Sequence, residues 1–435
     1  MSVDRQAQPQ SSGARTLAQR WGGALLTALL VLVLLASGAA GLRVADAAWS
    51  PHDETRLVAD ALQRQDSLSR DDALAGSGGT AQRDALEAVL RGLASAHDTS
   101  RPVAERLAAV RARLAEVDAT GPIIRGVAAD GPPGGAWSAA WRLLLAVDAE
   151  SLSGADQDRE RVRSEAAQIL TALRASRNGV LGSTAATGAR PVDTVVAVAA
   201  LRRADRSVGV PGAAAAVTVW LRQIEPLRDT GSQLLPHRVD GRGLVLAGPR
   251  ATSQAVIQLF WPEIDASTSS RDWVAFENIF LCPRLGMAVV CEYPGGTGSA
   301  DADSGPLVLG VSPRATLSTL AAARAHGNAD LGREISREAE LLGLGSGGWG
   351  DAADDGRPPL DVVLTWARSV PVADDLPGVD ERPPVPWPGL LLVALAPGLL
   401  AFSALSWRLV GRRRHVSGPL DVDAEPPSPL DARGR

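Results

Sequence analysis

The chain of 435 residues contains no lysine, so every one of its 44 basic positions is arginine, and it holds one tyrosine, two methionines and two cysteines. Arginine in place of lysine, beside abundant alanine and glycine, reads as codon bias and not as phosphate recognition. No stretch interleaves basic and aromatic residues and the net charge is -5. The footprint of a nucleic-acid binder is therefore missing. No glycine-rich phosphate loop follows a strand, and HExxH, CxxC and GxSxG are all absent. That removes support for nucleotide, zinc-hydrolase and α/β-hydrolase chemistry, and no motif calls for a cofactor or metal. Two cysteines with no histidine in their segment make a poor zinc site.

Uncharged apolar runs are present twice. Trp21 to Leu42 lies between Arg20 and Arg43, and Pro383 to Trp407 has its apolar body at Leu390 to Leu405 with Trp387 and Trp407 at interfacial positions. Each is long enough to cross a bilayer as a helix, at about 20 residues. Arg15 and Arg20 precede the first run, and Arg408, Arg412, Arg413 and Arg414 follow the second. The positive-inside rule then places both tails, 1–20 and 408–435, in the cytoplasm and the intervening chain outside it. The rival reading of the first run is a cleaved signal peptide, with small residues at Ser37 to Ala40 and Ala45 to Ala48 for cleavage. Either reading exports the middle of the chain, with the membrane as its partner.

From Asp53 onward apolar residues recur at three- and four-residue spacing, with Gly, Pro or Ser clusters between the runs. The pattern predicts twelve helices, beginning with Asp53–Arg64 and ending with Leu360–Ala367, and an all-α fold. The Gly- and Pro-rich link 121–135 divides a juxtamembrane helical region, 47–118, from a main domain, 137–368; a single continuous domain is the alternative. Two segments break the pattern. Leu234 to Arg250 reads as a hairpin or irregular loop around Asp240-Gly241. Leu281 to Pro306 reads as a turn, a short strand Met287–Glu292, and a Gly-rich acidic loop.

The segment PVDTVVAVAALRRAD at Pro191 to Asp205 and the run DADSGPLVLGVSPRATLSTLAAARAHGNADL at Asp301 to Leu331 resemble α/α-toroid proteins. The second run is similar to part of linalool dehydratase/isomerase, in which an acidic, small-residue turn leads into an Ala-rich helix. The resemblance covers about Trp137 to Arg368. It implies a ring of inner and outer helices, full or incomplete, around a cavity, with acids on the inner-helix ends. That enzyme also carries two active-site cysteines nine residues apart, as Cys282 and Cys291 are. Its pair lies far upstream of the acidic turn, whereas these lie just before it, so the role is not transferred.

Cys282 and Cys291 flank a turn in an exported domain, and a disulfide closing a hairpin is the natural reading, contributing about 2.5 kcal/mol by loop entropy. Asp301 and Asp303 suit either turn-making and capping or, for Asp303, a general acid or base, with Asp301 a ligand contact. Glu292 and Tyr293 in a Glu-Tyr-Pro-Gly turn could offer an acid beside a phenol, against the bland alternative of a core tyrosine. Asp193 opens an apolar helix after Pro191, where helix-dipole compensation alone explains an acid. His237 near Asp240 is a ligand-contact candidate or a solvent-facing loop histidine. Two function classes stand open: a membrane-anchored toroid enzyme using acid/base chemistry on a cell-envelope glycan or isoprenoid-like, lipid-like ligand, or a non-catalytic envelope binding or scaffold protein.

Overall fold

The computed structural model describes residues 12–49, 53–75, 81–119, 135–182, 188–301, 304–344, 358–373 and 387–416. Among them are fourteen α-helices, while strand is limited to one antiparallel pair, β1 (Arg238–Val239) and β2 (Val245–Ala247). All twelve helices expected between Asp53 and Ala367 are present. The largest boundary difference is at the first, which runs on from Glu54 to Ala75. Six of the eleven residues of its extension are Gln, Arg, Leu or Ala, which lose little freedom in a helix, and it meets no glycine until Gly76.

The chain divides into two compact units, one from 1–50 with 386–435 and the other from 51–385. The first holds α1 (Ser12–Trp49) and α14 (Trp387–Val416), which pack on each other. Each contains a stretch long and apolar enough to cross a membrane, Ala24–Trp49 and Gly389–Trp407. Small residues set their approach: a Cβ at Gly41 would fall 2.5 Å from Leu395 Cδ2, and one at Gly398 would fall 2.8 Å from Ser37 Cβ. Helices that meet in lipid rely on such close backbone approach in place of a hydrophobic driving force.

The second unit contains α2 (Glu54–Ala75), α3 (Ala81–His97), α4 (Val103–Ala119), α5 (Gly135–Ser153), α6 (Asp156–Ala175), α7 (Pro191–Val208), α8 (Ala213–Ile224), α9 (Ala251–Ile264), α10 (Ala266–Phe280), α11 (Pro313–Ala325), α12 (Ala329–Leu341) and α13 (Leu360–Ser369). α2, α3 and α4 share this one unit with the helices of 137–368. α3 and α4 also share its main hydrophobic core, while Val58 and Leu62 of α2 pack with Ala94 of α3 in a small separate cluster. Local chemistry fixes several ends. Pro191 and Pro313 open α7 and α11, where a missing N–H costs nothing. Ser312 and Asn328 cap α11 and α12 by accepting the N–H of Ala315 and Leu331. The single residue Asp265 ends α9 and caps α10 through the Ser267 N–H.

The odd-numbered helices pack in order, α3 on α5, α5 on α7, α7 on α9, α9 on α11 and α11 on α13, and α13 packs on α3. The even-numbered helices lie against them: α4 on α3 and α5, α6 on α5 and α7, α10 on α9, α12 on α11, and α2 on α13. α7 and α11 are buried along almost their whole length, as helices hydrophobic on every side must be.

Contacts near the ends show that the odd helices run side by side in one direction. At their starts, Arg190 lies 5.9 Å over the Trp137 ring, joining α7 to α5, and Arg314 donates to Pro358 O at 2.8 Å, joining α11 to α13. At their finishes, His97 stands 3.9 Å from Asp148, Arg203 donates to Glu263 at 2.8 Å, and the Ala373 N–H donates to Arg324 O at 2.9 Å. Between these ends Trp141 of α5 makes edge contacts with Phe260 of α9 at 5.7 Å and Trp366 of α13 at 5.6 Å. Those helices are not neighbours in the packing order, so the three rings join alternate members across the interior. Trp141→Ala is expected to lower the unfolding free energy by about 3–5 kcal/mol in urea denaturation. Trp137→Ala, at a partly exposed ring, is expected to cost less.

Candidate functional site at the starts of the odd helices

The links leaving the odd helices are short: 98–102, 154–155, 209–212, residue 265 and 326–328. Those entering them are, apart from 76–80, much longer: 120–134, 176–190, 225–250, 281–312 and 342–359. With the odd helices parallel, the described parts of these links, above all 225–250, 281–301 and 304–312, gather at one end of the unit. Binding and catalytic groups concentrate on loops held by a rigid scaffold, which makes this end the place to look.

The hairpin of β1 and β2 turns at Asp240, whose Oδ1 accepts the N–H groups of Arg242 and Leu244, both at 2.8 Å. A bridge from Ala189 to Val239 ties it to the start of α7. His237, directly before β1, is held by its N–H to Ala247 O at 3.0 Å and is buried, not solvent-facing. Its Nδ1 lies 2.5 Å from the Ser253 hydroxyl in the first turn of α9.

The second irregular segment approaches the same helix end. Cys282 and Cys291 are disulfide-bonded. In place of a strand over Met287–Glu292 the segment forms isolated bridges, Leu281 with Val290 and Arg284 with Met287, around a turn with Leu285 and Gly286 at positive φ. Glu338 of α12 supports it by accepting the Ala288 N–H at 2.7 Å. Directly after the disulfide, the Glu292 C=O accepts the Ala251 N–H and its own N–H donates to Gly310 O, both at 3.0 Å. Glu292 is therefore pinned between the starts of α9 and α11.

The Glu292 side chain is fully buried. Its Oε2 accepts the Thr252 hydroxyl, while Oε1 has no hydrogen-bond partner among the described residues. Burial pushes the carboxyl above its ordinary value, against the opposing pull of Thr252, His237 and Arg250. Tyr293 beside it donates to Ser299 O at 2.9 Å, and the Arg250 guanidinium sits 4.9 Å from its ring centre. Arg250 also pairs with Asp301. Asp301 makes a turn as well, accepting the Ser304 N–H at 2.9 Å.

Glu292, Tyr293, His237 and Asp301 thus meet through Arg250, Thr252 and Ser253. Asp193 belongs to the adjoining start of α7, 3.4 Å from Arg190. Asp303 lies outside the described residues. Thr252, Ser253 and Arg250 went unnoticed in the sequence, although Pro-Arg-Ala-Thr-Ser before an apolar helix is a helix-start signal.

A second polar group was also not anticipated. At the opposite end of the odd helices, His97, Asp148, Arg203 and Glu263 come together. Burial pushes Asp148 up, against His97 and Arg203. At Glu263 burial is outweighed by Arg203 and Arg206, which hold the carboxylate below its ordinary value. The signal was helical spacing, Asp148 seven residues after Trp141 and Glu263 three after Phe260, on the same faces as those rings. A cleft of about 350 Å³ lined by Asp53, Glu54, Arg324, Ala329, Arg333 and Val372 lies near this end. Its cations are paired, Arg324 with Glu54 and Arg333 with Asp330.

No protein-family model matches the chain, and no curated protein does.

Burial lifts Glu338 from 4.5 to about 8. A carboxyl raised in the folded state keeps its full contribution below its unfolded value and loses it as pH rises through the folded one. Thermal stability is therefore expected to fall between about pH 4.5 and 8, and Glu338→Gln should flatten that decline in scans across pH. Glu292→Gln should act in the same direction.

Proposed function

We propose that residues 51–385 form an α/α-toroid, held outside the cytoplasm by α1 and α14 with both chain ends inside, and that it is an enzyme using acid/base chemistry at the starts of its inner helices. The cyclic packing order of the odd helices supports the ring. The resemblance of 191–205 and 301–331 to toroid proteins, linalool dehydratase/isomerase among them, fits the same reading.

One observation carries the chemistry: Glu292 is buried, with one carboxyl oxygen lacking a hydrogen-bond partner among the described residues, where the links 225–250 and 281–312 meet. A carboxyl held above its ordinary value retains a proton for delivery to a leaving oxygen. Asp193, on the adjoining helix start, serves as the carboxylate that accepts one, and Tyr293 and His237 orient the bound molecule. Because Glu292 is fully covered, binding has to lift the 281–312 link from the start of α9. The substrate class this suits is a cell-envelope glycan or a lipid-like molecule.

A second reading, a non-catalytic binding or scaffold module, is favoured by the Trp141, Phe260 and Trp366 cluster, which occupies interior space that an axial cavity would need. Intrinsic-fluorescence melting of the full chain in nanodiscs against envelope glycans, lipid-linked sugars and isoprenoids separates the two. A ligand at a hundred times its dissociation constant adds about 2.7 kcal/mol of stability. A specific shift lost in Glu292→Gln and Asp193→Asn but kept in Asp148→Asn is expected. Loss in Asp148→Asn alone would move the site to the other end, and no shift from any ligand would favour the scaffold.

A further inference from the structure

Large apolar side chains on the surface of residues 51–385 are not evenly spread. Among the described residues Leu285 and Leu309 are the most exposed, at 73% and 76%, followed by Leu244 and Val308. All four lie on the links 225–250 and 281–312, at the end that holds Glu292. Leu244 continues into Val245 and Leu246, also exposed, whereas Val103, Val219, Val274 and Leu342 occur singly on helices or at a helix end. Single exposed apolar residues need no explanation, but a concentration on one set of links does.

Leu285 and Leu309 share a second feature. Their φ angles are +53° and +52°, the left-handed region that disfavours every residue with a Cβ and is best tolerated by Gly, Asn or Asp. At an exposed turn Asn or Gly would be less strained and better hydrated. Neither packing nor backbone preference accounts for leucine at both positions. Left-handed bulky residues that persist in native folds cluster at functional sites.

The two leucines belong to one surface. Leu309 is followed by Gly310, whose carbonyl accepts the Glu292 N–H at 3.0 Å. A Cβ at Gly310 would fall 2.3 Å from Gly296 O, and one at Gly296 would fall 3.1 Å from Arg284 Nη2. The path from Leu309 to Leu285 thus runs through Gly310, Gly296 and Arg284, with Glu292 beside it. Arg284 is half-buried. Its contacts are the Pro283 carbonyl at 3.4 Å and the Cys291 Sγ at 3.6 Å, and no carboxylate pairs with it among the described residues. A guanidinium without a counter-charge next to exposed leucines fits a molecule with an anionic group at the end of an apolar chain.

We propose that this surface binds the apolar chain and anionic group of a long-chain amphiphile, the chain lying on Leu285, Val308 and Leu309 and the anionic group on Arg284, so that the bond to be cleaved or rearranged reaches Glu292. The inference rests on the acid/base reading for its last step alone; the binding surface stands without it.

The test is calorimetric titration of butyl, hexyl and octyl phosphate into the full chain in nanodiscs, with empty nanodiscs as the blank. Affinity should rise with chain length by about fourfold per pair of methylenes, the gain for two methylenes half withdrawn from water. In Leu285→Asn/Leu309→Asn the dependence on chain length should vanish while the melting temperature stays at or above the parent's, since asparagine suits the backbone. Arg284→Gln should weaken all three ligands by the same factor and leave the dependence intact. Asp148→Asn, at the other end of the odd helices, should keep both; if the parent shows the dependence and no turnover of any amphiphile is found, the acid/base reading fails and the binding surface stands. Absence of chain-length dependence in the parent, or its survival in the double asparagine variant, overturns the proposal. So does pairing of nanodiscs that the double variant abolishes without any dependence on chain length, which would make the surface a seat for a second copy.

Discussion

The edge contacts of Trp141 with Phe260 and Trp366 are the constraint on which the 51–385 unit depends. The six pairings that link the odd helices of this unit each join neighbours in the packing order, and a row of neighbours can in principle splay at any seam. Rings that reach from α5 to α9 and α13 hold alternate helices at a fixed distance. They convert six pairwise seams into one packed interior, where a misfit at one seam is felt at the others. The same rings occupy interior space between α5, α9 and α13.

The ends are built differently. At the starts of the odd helices the chain spends long links, a disulfide and a small hairpin to bring His237, Ser253, Thr252 and Glu292 together, mostly out of water. At the finishes, links of one to five residues leave little chain to spare, and the polar groups His97, Asp148, Arg203 and Glu263 project from the helices themselves. Buried carboxyls appear at both ends with different neighbours. Among the described residues Glu292 makes no direct ion pair and feels His237 and Arg250 at longer range, whereas Glu263 is gripped by two arginines that hold it below its ordinary value. A carboxyl held above its ordinary value is suited to give up a proton, a property Glu292 shares with Asp148 at the other end. What sets the loop end apart is that long links bring Glu292 against His237, Thr252 and Ser253.

Much of the helical architecture was legible from periodicity because the signal is redundant: α7 and α11 each repeat their apolar pattern over several turns, and Pro191, Pro313 and Ser312 mark their starts. The two apolar spans were legible from length and freedom from charge alone. The Cys282–Cys291 pairing was legible because a nine-residue separation across a turn leaves few alternatives. The site was legible only in part. Glu292, Tyr293, His237 and Asp301 could be picked out as unusual residues in irregular segments, but their convergence depends on α9 starting between two links about thirty residues apart in sequence, which no local pattern encodes. His237 departs from its solvent-facing alternative because backbone bonds to the hairpin turn it inward. The Asp148 and Glu263 group was overlooked since each sits in an ordinary amphipathic helix and only the shared face with Trp141 and Phe260 reveals it.

Closure of the odd helices on themselves is the central claim, and hydrogen exchange of Trp366→Ala tests it most directly. Removing that ring from a closed, cooperatively packed set should lower protection in α13 and also in α3 and α5, since each depends on the same interior. Loss of protection confined to α13 and its neighbours α11 and α12, with α3 and α5 unchanged, would contradict closure and describe an open arc of helices.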